Sequence, residues 1–284
     1  MMRIAFVLFA LLLPSGDASS QTAAEIVALI EARSGVQVSE GTVDTFKAGN
    51  PQQRVTGVAV TTMATLDVLQ RAAAAGHNLI ITHEPTFYSH RDATEALEKE
   101  GDQVYEAKQR LIAEKGLVVW RFHDRPHAMK PDMIRAGMIR VLGWEKYQSA
   151  AAATVVDLPT SSIGSIAAKL RATLDAQTIR IIGDTASRVS RVGLTQGFPG
   201  FGANRLVLQQ EGVEALVMGE DHEWETIEYA VDAVTAGKLK GVIVIGHIAS
   251  EQGGMLEVSR WLKSFITQVP VEFLPTREAF VKIP

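Results

Sequence analysis

The sequence predicts an α/β fold of two lobes, each a mixed or parallel sheet covered by helices, with a metal site at the carboxyl ends of strands. Three observations predict it. Short apolar runs alternate with capped helices along most of the 284 residues. Glycine closes one helix after another, at Gly35, Gly76, Gly116 and Gly143. Imidazole and carboxylate side chains begin where three of the apolar runs end, the place where open sheets hold their ligands.

The chain opens on an address. Met1-Met2-Arg3 is a short basic start, Ile4 to Leu13 is apolar, Pro14 breaks the run, and Ala18-Ser19-Ser20 offers the small residues a signal peptidase reads. Residues 1–20 therefore read as a signal peptide, with Gln21 as the new N-terminus. The apolar stretch is too short for a bilayer span, which needs about 20 residues. An exported protein is expected, periplasmic or secreted, with no membrane attachment once the signal is removed. The chain contains no cysteine, which rules out both a disulfide and a lipoprotein anchor.

Past the signal, Thr22-Ala23-Ala24-Glu25 is a capping box opening a helix with Ile26, Leu29 and Ile30 inward. Val55 to Val60 reads as a strand, Thr65 to Ala75 as a helix, and Leu79 to Ile81 as the next strand, completing a βαβ unit. Asp102 to Lys115 reads as a helix with Val104, Ala107 and Leu111 on its buried face, followed by the strand Leu117 to Phe122. Pro131 opens a helix that Gly143 closes.

The second half repeats the rhythm. Val155-Val156 ends a strand, Ser162 to Leu174 is a helix, and Thr178 to Ile182 and Val192 to Thr195 are strands. Gly197 to Gly202 forms a glycine-rich loop that lacks the Lys-Ser/Thr of a P-loop and the spacing of a dinucleotide fingerprint, so it reads as a tight connection. Strand Ala215 to Met218, helix Glu223 to Ala236, strand Val242 to Ile245 and helix Glu251 to Phe265 follow. The polar, Ala-rich stretch from Gln148 to Ala153 marks the join, giving a first lobe over 21–148 and a second over 149–284.

Charge narrows the function. The net charge is -4, and it is unchanged by removal of residues 1–20, which takes away Arg3 and Asp17. No run of Lys and Arg exceeds two residues, so nucleic acid is not an expected partner.

The chemistry lies in the strand-end clusters: His83-Glu84, the run His123-Asp124-Arg125-Pro126-His127, and His247 with Glu251. Each has a plainer explanation alone. His83 would cap a carbonyl, Glu84 beside Pro85 would be solvated, His123 and His127 would form a surface pair, and His247 would cap a helix. Together, five of the seven histidines lie in or beside these clusters (His83, His90, His123, His127, His247), and that points to a metal site. Nitrogen and carboxylate oxygen donors suit Zn, Mn, Fe, Co or Ni, at one or two ions per chain. Glu220, Asp221 and Glu223 follow another strand end and fit either a residue supporting the site or a solvated helix start.

These residues carry a resemblance. The strand Gly57-Val58-Ala59-Val60, the segment Asn78-Leu79-Ile80-Ile81-Thr82-His83-Glu84-Pro85 and the closing Gly246-His247-x-x-x-Glu251 are similar to the Nif-three-like family over roughly Ile26 to Leu274. Its members are described as type 2 homologues of GTP cyclohydrolase I and as dinuclear-metal-centre hexameric proteins. The family's His-His-Pro reads here as His83-Glu84-Pro85, and its His with Asp four residues later reads as His123 and His127. The closing pair matches fully as His247 and Glu251. The exchanges of His for Glu and Asp for His keep the donor inventory and suggest a rebuilt site, with Glu84 in place to bridge and Asp124 a reserve ligand.

The resemblance implies metal ligands at His83, Glu84, His127, His247 and Glu251, and a homo-oligomer, a hexamer. With His123 or Asp124 as proton shuttle, the expected function is a metal-dependent hydrolase acting through activated water on a small-molecule substrate. The alternative is a non-catalytic metal-binding or metal-handling protein of the cell envelope. A third option is a scaffold whose metal clamps subunits.

Overall fold

The computed structural model describes residues 21–281; the expected signal peptide lies outside them. Two five-stranded sheets form, as the alternation of elements requires. In the first, β2 (Val58–Thr61), β3 (Leu79–Thr82) and β4 (Val118–Arg121) run parallel. An antiparallel strand, β1 (Phe46–Ala48), edges β4, and a parallel one, β10 (Val271–Phe273), edges β2. In the second sheet β7 (Arg188–Leu194), β8 (Ala215–Met218) and β9 (Gly241–Val244) run parallel. Antiparallel edges β5 (Val155–Ser162) and β6 (Arg180–Gly183) flank them.

The central strands read as unbroken apolar runs because both faces are covered. Successive side chains point to opposite faces. In β3, Leu79 and Ile81 enter one core cluster and Ile80 the other. In β9, Val242 and Val244 enter one cluster while Ile243 and the following Ile245 enter another.

Local signals set the helix ends. Thr22 and Glu25 make a reciprocal capping box at the start of α1 (Ala23–Ser34), and Gly35 stops it in the left-handed region. Thr65, Asp102, Asp132 and Ser162 accept backbone N–H groups at the starts of α2 (Leu66–Ala74), α4 (Gln103–Glu114), α6 (Met133–Leu142) and α7 (Ile163–Leu174). A one-turn helix, α3 (Glu95–Glu100), precedes α4, and a short one, α5 (Asp124–Ala128), precedes α6. In the second lobe α8 spans Gly200–Leu208, α9 spans Glu228–Thr235 and α10 spans His247–Lys263. No helix of the described residues is long and apolar enough to cross a membrane.

Several expectations need correction. The chain after Gln148 does not all belong to one lobe: α10 packs on α6 and β2, and β10 pairs with β2, so the C-terminal segment completes the first sheet. The buried face of α4 is Tyr105, Lys108 and Ile112; Val104 is exposed. There the helix packs an aromatic ring and a lysine stem against the core in place of the smaller apolar residues. Val155-Val156 begins a strand, and Gly200 to Gly202 is already helical. Glu223–Ile227 forms a π-helical turn ahead of α9. The closing helix α10 starts at His247, one turn early, which puts His247 and Glu251 on one face of one helix.

α6 and α10 meet backbone to backbone. A Cβ on Gly254 would stand 2.5 Å from the Cα of Ile134, and one on Gly137 would stand 2.4 Å from the carbonyl oxygen of Gly253. Only glycines permit that approach, and it sets the N-terminus of α10 against the loop that leads into α6.

Candidate metal centre

Against the expectation of one shared sheet edge, the three clusters lie at the ends of two sheets. β3 and β4 end in the first sheet, whereas β9, which leads into α10, ends in the second. The two sheets bring their strand ends together, and the clusters meet at the floor of a cavity of about 870 Å³.

Each imidazole there is fixed from behind. His83, wholly buried, has Nδ1 3.1 Å from the carbonyl oxygen of Phe122. His123 Nδ1 lies 3.0 Å from Asp124 Oδ1, and His127 Nδ1 lies 3.0 Å from Asp132 Oδ2. His247 Nδ1 lies 2.9 Å from Glu220 Oε1. With an oxygen acceptor beside every Nδ1, all four rings present Nε2 to a common centre. Metal-binding histidines are held in this way.

The Nε2 atoms meet two carboxylates. His83 Nε2 is 3.2 Å from His127 Nε2 and 3.7 Å from Glu251 Oε2. His247 Nε2 is 3.0 Å from Glu251 Oε2 and 3.3 Å from Glu84 Oε1, and His123 Nε2 is 3.6 Å from the same Glu84 oxygen. Two groups close to ligand distance result, His83–His123–His127 and His83–Glu84–Glu251. The Nε2 atoms of His83, His127 and His247 and Oε2 of Glu251 crowd together and face one another, an arrangement that a cation would relieve. A divalent ion fits this donor set.

The electrostatics agree. Burial resists charge on the His247 ring, but the hydrogen bonds it donates to Glu220, Glu251 and Glu84 push it up to about 12. Burial likewise opposes His83, and Glu251 and Glu84 raise it nonetheless. Glu84 falls to about 2 against its own desolvation, through His247 and His83, and Glu251 is held far below the usual carboxylate range. Burial and the nearby His83 push His123 down to about 4, so its ring is neutral at pH 7. The paired carboxylates thus keep protons on His247 and His83, where a metal would otherwise supply the positive charge.

Further residues frame the site. Arg121, wholly buried, donates from Nε to the His83 carbonyl at 2.9 Å and from Nη1 to the His90 carbonyl, while its Nη2 lies 3.5 Å from Glu84. Asp44 accepts the backbone N–H groups of His123, Asp124 and Arg125 at 2.7, 2.8 and 2.9 Å, capping α5 and fixing its His123 end. Gly197 passes so close that a Cβ there would stand 2.2 Å from Glu251 Oε1.

Of the residues expected at the site, His83, Glu84, His123, His127, His247 and Glu251 come together. Asp124 does not reach the centre: Oδ2 accepts from the Thr42 hydroxyl at 2.7 Å and Oδ1 holds His123, so it stands behind that imidazole and not in reserve as a ligand. Of the three acids after β8, Glu220 supports His247, Asp221 faces Asn204, and Glu223 lies on the surface beside Arg180. Asp132, Asp44 and Arg121 were not singled out from the sequence. Asp132 carried a signal, an acid directly before a helix that also caps it; Asp44 and Arg121 carried none.

Residues 27–279 match the family model described as Duf34/NIF3 (NGG1p interacting factor 3). The chain belongs to the NIF3 family. Solved structures agree in fold. A Staphylococcus aureus hypothetical protein superposes with a TM-score of 0.73 at 17% identity, over 93% of this chain and 100% of that one. A Bacillus cereus protein related to NIF3 gives 0.72 at 13% identity over 94% and 100%. A NIF3 superfamily protein from Sphaerobacter thermophilus gives 0.52 at 14% identity over 91% and 98%. No curated protein matches the sequence. Glu84 and His127, the positions at which the resemblance implies exchanged donors, both face the centre.

Proposed function

We propose that this NIF3-family protein is a metal-dependent hydrolase acting on a small molecule. One observation carries the reading: four backed imidazoles and two carboxylates converge on the floor of a large cavity, their inward atoms turned on one another. His83, Glu84, His127, His247 and Glu251 would hold one or two first-row divalent ions. An ion in such a donor set lowers the pKa of water towards about 7 and polarises the group under attack.

The protein's own groups supply the rest. His123 Nε2, neutral at pH 7, faces the cavity and accepts the proton of the attacking water. Asp124 holds its Nδ1–H, fixing the tautomer and stabilising the imidazolium that forms. The same Nε2 then returns the proton to the leaving group. The sequence also supports export through residues 1–20, and the family resemblance supports assembly as a hexamer.

The test is a panel of phosphoesters, amides, cyclic nucleotides and GTP with Mn or Zn added. His123→Gln should keep its metal and lose roughly 10²–10⁴-fold in rate, the usual contribution of a general base, and Asp124→Asn, which loosens that base, should lose rate with its metal intact. Metal lost from the His123→Gln variant would make His123 a ligand, as its place beside His83 and His127 permits. Metal-replete protein that hydrolyses nothing would favour the metal-handling reading. Light scattering checks the assembly and N-terminal sequencing of protein from the native host checks the cut at Gln21.

A further inference from the structure

Lys108 is conspicuous because the metal site makes no use of it. It lies on the inward face of α4 at 4% exposure, on the wall of the same cavity. An ammonium has three donors. One goes to the Thr86 carbonyl oxygen at 2.6 Å. The rings of Phe87 and Tyr88 lie 5.8 and 5.1 Å from Nζ, and no carboxylate comes within ion-pair distance among the described residues. Its acidic neighbour Asp92 is otherwise engaged: Oδ1 accepts the N–H groups of Thr86 and Phe87, and Oδ2 faces Lys47 at 3.4 Å and Arg121 at 3.7 Å.

A buried cation without a counter-ion is costly, and two ring faces offset only about 0.5–2 kcal/mol of that cost. Desolvation accordingly pulls Lys108 down to about 8, against Asp92. Its surroundings also leave polar atoms unmet. Thr86 is wholly buried and Thr86 Oγ1 has no partner; Gln196 Nε2 is buried without one as well. Both residues line the cavity. Tyr88 sits at φ 63°, a left-handed conformation that costs a bulky residue energy, and there its ring covers the Lys108 ammonium. Thr86 is two residues from Glu84, and the ammonium and the metal donors share one cavity.

We infer that Lys108 and Thr86 form an oxyanion subsite separate from the metal ligands. It takes the carboxylate or phosphate of the substrate, whose apolar part lies on Phe198, Leu206 and Val207. The inference rests on the hydrolase reading and narrows its substrate to an anionic small molecule with an apolar portion.

Calorimetric titration with inorganic phosphate and with benzoate, on metal-loaded and chelator-treated protein, tests it and tells the two anion types apart. One of the two should bind at one per chain. Lys108→Met should weaken it about 10–100-fold, the worth of a hydrogen bond to a charged group, with metal content unchanged. Lys108→Arg should retain most of the affinity. Binding should persist in the His247→Ala, Glu251→Ala double variant. Wild-type affinity in Lys108→Met, or no binding of either anion to any form, would overturn the subsite. So would loss of metal from Lys108→Met, which would make the lysine a brace. Should that variant fail to fold, Thr86→Val removes only the hydroxyl and should weaken the anion by several-fold; unchanged affinity there overturns the subsite equally. The two readings fail separately: equal metal in the wild type and the double variant removes the metal centre, whereas an anion indifferent to Lys108 and Thr86 removes only the subsite.

Discussion

Two groups of side chains in this protein have the composition of a metal site, and they differ in almost everything else. Asp221, His222 and Glu225 bring three ligand types within reach of one another at the start of α9, as the cavity floor does. But Asp221 Oδ2 already accepts from Asn204 Nδ2 at 2.8 Å and from the Thr226 hydroxyl, and Oδ1 accepts the His222 N–H at 2.8 Å. The His222 ring is exposed and stacked on Trp224 at 4.4 Å. At the cavity floor, by contrast, the imidazoles are backed, and the atoms facing inward are turned on one another. Proximity is common at a surface; a set of imidazoles, each fixed from behind and turned on one centre, is not.

The largest expected effect turns on that contrast. His247→Ala with Glu251→Ala should remove most of the bound metal, whereas His222→Ala with Glu225→Ala should leave it unchanged. Elemental analysis of the purified proteins decides. Metal lost from the second pair and kept by the first would invert the assignment.

A smaller effect probes the backing itself. Glu220→Gln and Asp132→Asn leave every inward-facing atom in place and weaken only the grip on Nδ1 of His247 and His127. Affinity for Zn, measured by competition with a chromophoric chelator, should fall about 10–100-fold in each. Affinity equal to the wild type would mean that the ring orientation is set by packing alone. Asp132→Asn also changes the cap of α6, so its melting temperature should be read beside its affinity.

The same contrast explains how much was legible in the sequence. Strands buried on both faces appear as plain apolar runs, and ligands at their ends follow directly in the chain, so β3 with His83 and Glu84 could be read as one unit. What supports the ligands comes from far away. Phe122 lies 39 residues from His83, Glu220 lies 27 from His247, and Asp44 lies 79 from His123. No local period carries such pairings. Lys108 escaped because a lysine at an inward helix position looks the same in a sequence as one at an outward position, and Val104 and Leu111 offered a more apolar face. β10 escaped because three residues at a sheet edge carry too little pattern to assign.

The smallest effect concerns protons standing in for the metal. In the metal-free protein His247 titrates at about 12 against an ordinary 6.5, so its stabilisation is complete below about 6.5 and is lost as pH rises towards 12. His83 is raised and acts in the same direction. His123 is depressed to about 4, so its contribution is present above 6.5 and is lost as pH falls through 4. Glu84, at about 2 against 4.5, adds a further loss below 4.5. The metal-free protein should therefore melt highest near pH 6.5 and decline on both sides. Bound metal requires neutral imidazoles, so it should remove the alkaline decline and strengthen as pH rises. The check is the melting temperature across pH 4–9 with and without Zn. Parallel curves would mean that the imidazoles of the cavity floor do not exchange protons for metal, and the difference between the two clusters would then lie in burial alone.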